Sequence, residues 1–158
     1  MVESFWRDLE IAKTAEQDVI SALSYLAPEI KFIDVSNDRA YFYKGDIKAI
    51  LPDGRIVMIE VKRDTRIHET GNILCQEKKK YWGKDEWQKG TMHSDYEIYC
   101  IVSPQLRRIY VIDFKILLAH YKSGKSRVFQ NDEGIEDIYL LPLEYLKSKD
   151  GLLWTIDY

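Results

Sequence analysis

Between residues 3 and 26 the apolar positions Phe5, Leu9, Ala12, Val19 and Leu23 recur at helical spacing, with Ala15, Ala22 and Leu26 along one flank. The pattern predicts a helix. Thr14 followed by Gln17 has the form of a capping box, so the helix either restarts there or runs through, and Pro28 ends it. Ile30–Val35 alternates as a strand does, a turn follows at Ser36, Asn37 and Asp38, and Arg39–Lys44, carrying Tyr41, Phe42 and Tyr43, leads onward. Two runs rich in isoleucine and valine, Asp46–Leu51 and Arg55–Lys62, then flank Pro52-Asp53-Gly54. That is a hairpin signal: proline presets φ, aspartate bonds its own backbone, and glycine takes the left-handed conformation that closes a three-residue loop.

The second half is read in the same way. Arg63–Gly71 is a polar loop containing Arg66 and His68; Asn72–Glu77 alternates, with Asn72, Leu74 and Gln76 on one side and Ile73, Cys75 and Glu77 on the other, and predicts a strand. Gly90–Asp95 reads as a short helix or turn. Tyr96–Val102 and Arg108–Ile112 predict strands joined through Ser103-Pro104-Gln105, after which Asp113 caps a helix over Phe114–Tyr121 with Ile116, Leu117 and Leu118 facing inward. Strand, short helix and strand follow at Asp137–Leu141, Pro142–Lys147 and Leu152–Ile156.

No repeat, linker or low-complexity tract interrupts the 158 residues, so one domain over 1–158 is expected, large enough to bury a core without staples. A hydrophobic fraction of 46% and a charged fraction of 31% suit a soluble globular protein. No apolar run approaches membrane-spanning length, and Met1-Val2-Glu3 does not open a signal peptide; the expected location is cytoplasmic. Cys75 and Cys100 sit in apolar runs and read as buried free thiols. A net charge of −3 does not advertise nucleic acid, leaving that case to local clusters.

The chemistry lies in Gly45–Asp64. Alternation puts Ile56, Met58, Glu60 and Lys62 on one face of the second hairpin strand, Glu60 and Lys62 roughly 7 Å apart. If Leu51 and Arg55 close the turn, Asp46 falls opposite Glu60, two carboxylates about 5 Å from each other. Opposed like charges destabilise a strand pair, so a cation is expected between them. Magnesium fits, since it takes one or two carboxylates, keeps waters and completes its shell with phosphate. Lys62 stands beside it, directed at a water or a phosphoryl oxygen.

Asp46, a spacer of thirteen residues, then Glu60-Val61-Lys62 resembles the PD-(D/E)xK nuclease superfamily, the restriction-endonuclease-like fold. Asp46 matches the aspartate ending its first motif; Glu60 and Lys62 match the (D/E)xK motif. Lys44-Gly45-Asp46 has glycine where the family's name has proline. The resemblance implies an α/β (α+β) fold with an αβββαβ core, a central mixed sheet flanked by helices, and a magnesium-dependent DNA endonuclease in which manganese substitutes. It implies metal ligation by Asp46, Glu60 and the Val61 carbonyl, and selection of DNA by structure, as in the Holliday-junction resolvases of this fold, or through a protein partner. It also implies a homodimer and a phage or mobile-element origin.

Glu16 lies within the apolar stripe of the first helix. Either it snorkels out or pairs at the edge, or it matches the glutamate that many family members aim at the metal from this helix. Thr70-Gly71-Asn72-Ile73 followed by Gln76 resembles a segment of phage-type members in which the last position is usually glutamate; Gln76 can hold a water or phosphate without supplying charge. Lys78, Lys79, Lys80 and Lys84, among Tyr81, Trp82 and Trp87, form a basic aromatic stretch that either tracks a DNA backbone, together with Arg63 and Arg66, or lays lysine stems over tryptophan. Ser123-Gly124-Lys125-Ser126 lacks a phosphate loop's first glycine, Ala119 standing there, and follows a helix instead of a strand. The rival reading of the whole chain is a catalytically silent nuclease-fold protein that binds nucleic acid or another protein; the intact acid, acid and lysine argue against it.

Overall fold

Helix α1 runs unbroken over Val2–Leu26. Thr14 does not restart it: its hydroxyl turns back to donate to the Glu10 carbonyl at 3.0 Å, the bond of a mid-helix threonine. The buried stripe is Ala15, Val19 and Leu23, with Glu16 beside it, whereas Ala12 and Leu26 are exposed. The inward face is thus set by Ala15 and not by Ala12, because small Ala12 borders an open cleft described below. In this computed structural model the described residues are 2–41, 44–80, 86–90, 92, 95–124, 128–130 and 136–158, with backbone alone at 2–6, 8, 9, 79 and 136. Phe5 and Leu9 of the expected stripe, the rings of Phe42 and Tyr43, and Lys125 and Ser126 therefore lie outside what is described.

After α1 come β1 (Lys31–Asp34), β2 (Ile47–Ile50) and β3 (Ile56–Arg63), then a short α2 (Ile67–Thr70), β4 (Asn72–Lys79) and β5 (Gln88–Lys89). The chain continues through β6 (Ile98–Ser103), β7 (Arg108–Asp113), α3 (Phe114–Lys122), β8 (Val128–Gln130), β9 (Glu136–Pro142), α4 (Leu143–Ser148) and β10 (Leu152–Asp157). A six-stranded sheet has the order β1-β2-β3-β6-β7-β10, and a four-stranded one β5-β4-β9-β8. Among the described strands of the large sheet only β3 and β6 are parallel, so that sheet is mixed. A parallel pair needs a crossover, and here α2, β4 and β5 supply it. The expected mixed sheet flanked by helices is present, with the second sheet added to it.

The turn behaves as its residues dictate. Leu51 N–H donates to the Arg55 carbonyl at 2.9 Å, Asp53 accepts from Arg55 N–H at 3.0 Å, and Gly54 has φ +85°. The register that follows sets Ile47 against Ile59 and Ile50 against Ile56.

Two apolar clusters share the large sheet. On one face Ala15, Val19 and Leu23 of α1 pack on Ile47, Ile59, Val61 and Cys100. On the other, Met58, Tyr99 and Ile101 meet the inner face of the small sheet (Ile73, Cys75, Tyr139, Leu141), Leu117 of α3 and Leu146 of α4. Each fully buried valine, leucine or isoleucine among them contributes about 1.5–3 kcal/mol. The central strand β6 alternates between the two clusters and is apolar from Ile98 to Val102, as a strand covered on both faces must be, with buried Ser103 at its end. Asp113 caps α3, accepting from Lys115 N–H. Both cysteines are free and buried, and among the described residues no helix is long and apolar enough to cross a membrane.

Candidate active site

The site is built where β2 stops and β3 continues. Asp46, one residue before β2, keeps its N–H on the Ile59 carbonyl at 2.9 Å. Beyond that point the backbone pairing ends, and the Asp46 side chain takes the next rung: its Oδ2 accepts from Val61 N–H at 2.9 Å. The register therefore places Asp46 across from Glu60, as the turn arithmetic required. Gly45 has φ +134°, and a Cβ there would lie 2.9 Å from the Ile59 carbonyl oxygen. Proline, fixed near −65°, cannot adopt that conformation, which is why glycine stands before the aspartate in this chain.

Glu60 and Lys62 share a face of β3 and form an ion pair at 2.6 Å; Glu60 is 14% exposed and Lys62 46%. Desolvation pulls the Lys62 ammonium down, but Glu60, Asp46 and Glu16 together outweigh it and leave its pKa raised. Burial pushes the Asp46 carboxyl up to about 6, helped by the Glu60 charge and opposed by the Val61 N–H and Lys62.

Glu16 turns inward and is 7% exposed. Its Oε2 lies 2.9 Å from Ser36 Oγ, which is itself 2.6 Å from Asp34 Oδ1. One hydroxyl carries one proton and can donate to only one of these carboxylates at a time, so the second contact calls for a proton on an acid. Burial lifts Glu16 to about 7, against the lowering by Ser36 and with the charges of Asp46 and Asp34 adding to it. Asp34 and Ser36 were not singled out from the sequence. The only local signal is the Asp-x-Ser spacing of a side-chain turn, made here by Ser36 N–H on Asp34 Oδ1 at 3.0 Å.

Two open clefts meet at Lys62 and Arg63. The first, about 430 Å³, runs under α1 between Ala12, Glu16, Asp46 and Val61. The second, about 400 Å³, opens toward the small sheet and is bounded by Asp64, Arg66, Gln76 and Tyr99. Gln76 is thus brought to the Lys62 side of the site but not into the cleft that holds Glu16 and Asp46. The loop expected over Arg63–Gly71 contains α2, because Asp64 Oδ1 accepts from both Arg66 N–H and Ile67 N–H, Ile67 is buried, and Gly71 ends the turn at φ +66°. Arg66 is 76% exposed beside Glu69.

Of the basic stretch, Lys78 and Lys80 do not line these clefts. Lys78 pairs with Asp137 at 3.3 Å and lies over the Trp87 ring at 4.5 Å; Lys80 lies over the same ring at 4.7 Å. Lysine heads over tryptophan is the arrangement found at these two positions. Lys84, with Tyr81 and Trp82, falls outside the described residues, as does the side chain of Lys79. Among the described residues no three acids, histidines or cysteines are grouped as a ready metal cluster.

No protein-family model matches the chain, and no curated protein does. A search of solved structures finds a bacterial homing endonuclease, I-Ssp6803I, at 15% identity over 82% of this chain and 75% of that one, with a TM-score of 0.49. The likeness is too distant to bear on fold or activity.

Proposed function

We propose that the chain is a magnesium-dependent DNA endonuclease whose active site is the open end of the β2–β3 hairpin. The observation that carries this reading is the meeting of Asp46, Glu60 and Lys62 there, with Glu16 entering the Asp46 cleft from α1. The donor set fits a hard divalent cation. Asp46 and Glu16 hold protons more tightly than ordinary carboxyls because acids crowd in a partly dry place, and a cation relieves the same crowding. Two carboxylates suffice for magnesium, which keeps waters and takes phosphate oxygens, so a three-acid cluster is not required.

Asp46 and Glu60 would hold the ion, with manganese able to replace magnesium. The Val61 carbonyl leaves β3 on the same edge as its N–H, where β2 has ended, and Glu16 would act through a water. When bound, the ion supplies a more acidic water and offsets charge on the phosphoryl oxygens. Lys62, half exposed and reaching both clefts, orients the attacking water or a phosphoryl oxygen once substrate competes for its bond to Glu60. Arg63 and Arg66 line the approach and hold backbone phosphates. Selection of DNA by shape, and action as a homodimer or with a protein partner, belong to the same proposal.

One observation favours the rival, a silent nuclease-fold binder: Glu60 and Lys62 satisfy each other at 2.6 Å. Incubation with supercoiled, linear, single-stranded and four-way-junction DNA, in magnesium, manganese or chelator, separates the two. Asp46→Asn keeps an acceptor for Val61 N–H and removes the charge. Metal-dependent cleavage lowered roughly 10²–10⁴-fold in Asp46→Asn and Lys62→Ala is expected. Binding without cleavage in either metal would favour the rival.

A further inference from the structure

The outer face of the small sheet carries an apolar patch that borders the site. Cross-strand pairs Leu74↔Leu140, Gln76↔Ile138 and Ile138↔Phe129 put these side chains on one face, while Ile73, Cys75, Tyr139 and Leu141 turn into the core. Phe129 is 52% exposed and Leu74 43%. Together with Ile138 and Leu140 they floor a hollow of about 290 Å³ whose rim is Asp64, Arg66, Thr70 and Asn72. The hollow shares Asp64, Arg66 and Leu74 with the Lys62 cleft, so the two adjoin. Two strand spacings, about 10 Å, separate Phe129 from Gln76 in that cleft.

An exposed ring on an apolar floor, with a guanidinium, an amide and a hydroxyl at the rim, is what a nucleobase needs: a flat surface for its π face and polar groups for its edge. An apolar peptide would leave the Arg66 and Asn72 side chains facing it without use. A base stacked in a duplex cannot present its face to Phe129. We propose that this hollow takes an unpaired base of a DNA strand whose neighbouring phosphate lies in the Lys62 cleft, so that the substrate is DNA with an unpaired nucleotide beside the reacting phosphate. The inference rests on the nuclease reading for the phosphate and names that site's substrate class.

The test is binding in chelator, by fluorescence anisotropy, of a short duplex with and without a single-stranded flap carrying 2-aminopurine. Wild type should prefer the flap about 10-fold and change the 2-aminopurine emission. Phe129→Ala should lose both while keeping its duplex affinity, and Phe129→Tyr should retain both. Equal affinity of wild type for the two DNAs, or a preference that survives in Phe129→Ala, would overturn the proposal. If paired DNA is nevertheless cut and Asp46→Asn abolishes the cutting, the nuclease reading stands without it. A Phe129-dependent flap preference with no cleavage in any metal would support the base site and overturn the nuclease reading.

Discussion

Replacing Glu16 by glutamine should make the metal-free protein more stable at pH 8 and leave it unchanged near pH 4. Glu16 is almost fully buried, and its pKa stands at about 7 against an ordinary 4.5. The folded chain therefore binds a proton that the unfolded chain has released anywhere between those values. Stability falls as pH climbs through that window, and above about pH 7 the full penalty, roughly 3 kcal/mol, is in place. Asp46, raised from 3.8 to about 6, adds a slope of the same sign at slightly lower pH. Glutamine offers Ser36 the same acceptor without a charge to desolvate, so at pH 8 the variant should recover most of that penalty. For a chain of this size each kcal/mol is about 2–4 °C in Tm, a shift of several degrees. Urea titrations in chelator at the two pH values measure it, and magnesium at pH 8 should stabilise wild type more than Glu16→Gln. A variant no more stable than wild type at pH 8 would refute the account of Glu16 as a desolvated acid.

Gly45→Ala should cost about 1–3 kcal/mol, because φ +134° and the Ile59 carbonyl oxygen oppose any Cβ, and Gly45→Pro should cost more; urea midpoints report both. Burial pushes the Cys75 and Cys100 thiols up to about 12, so a thiol reagent should label them only at the unfolding rate, and rapid labelling of native protein would contradict their placement. Arg66→Ala should weaken DNA binding and reduce the salt slope by about one, whereas Lys78→Ala, already engaged with Asp137 and Trp87, should leave that slope unchanged.

The hairpin and its acids were legible in the sequence because everything that places them is local. A three-residue loop between Leu51 and Arg55 fixes the register, and the register decides what faces Asp46. The strand at Asn72, the pair around Ser103-Pro104-Gln105 and the capped helix at Phe114 were legible for the same reason, each carrying its own period and punctuation. The small sheet was not: β5 and β8 have two and three residues, too few to show a period, and β9 is paired to β4 from far along the chain. The helix stripe was read through Ala12 because alanine fits a buried or an exposed position equally well. Asp34 and Ser36 acquire their role only through contact with a glutamate on another element. The fate of Lys78 and Lys80 likewise depends on where Trp87 falls.

The carboxylate at 46 does two jobs, since it stands in for a missing backbone acceptor at the end of the β2–β3 ladder as well as facing the acid at 60. Loss of catalysis would not release it from the first of these. Descendants of such a protein that abandoned hydrolysis would be under pressure to keep an acceptor at 46, whereas the amine at 62 is tied by its ion pair to the acid at 60 and could be lost together with it. Within this architecture, then, the lysine is the better witness to an active enzyme than the aspartate.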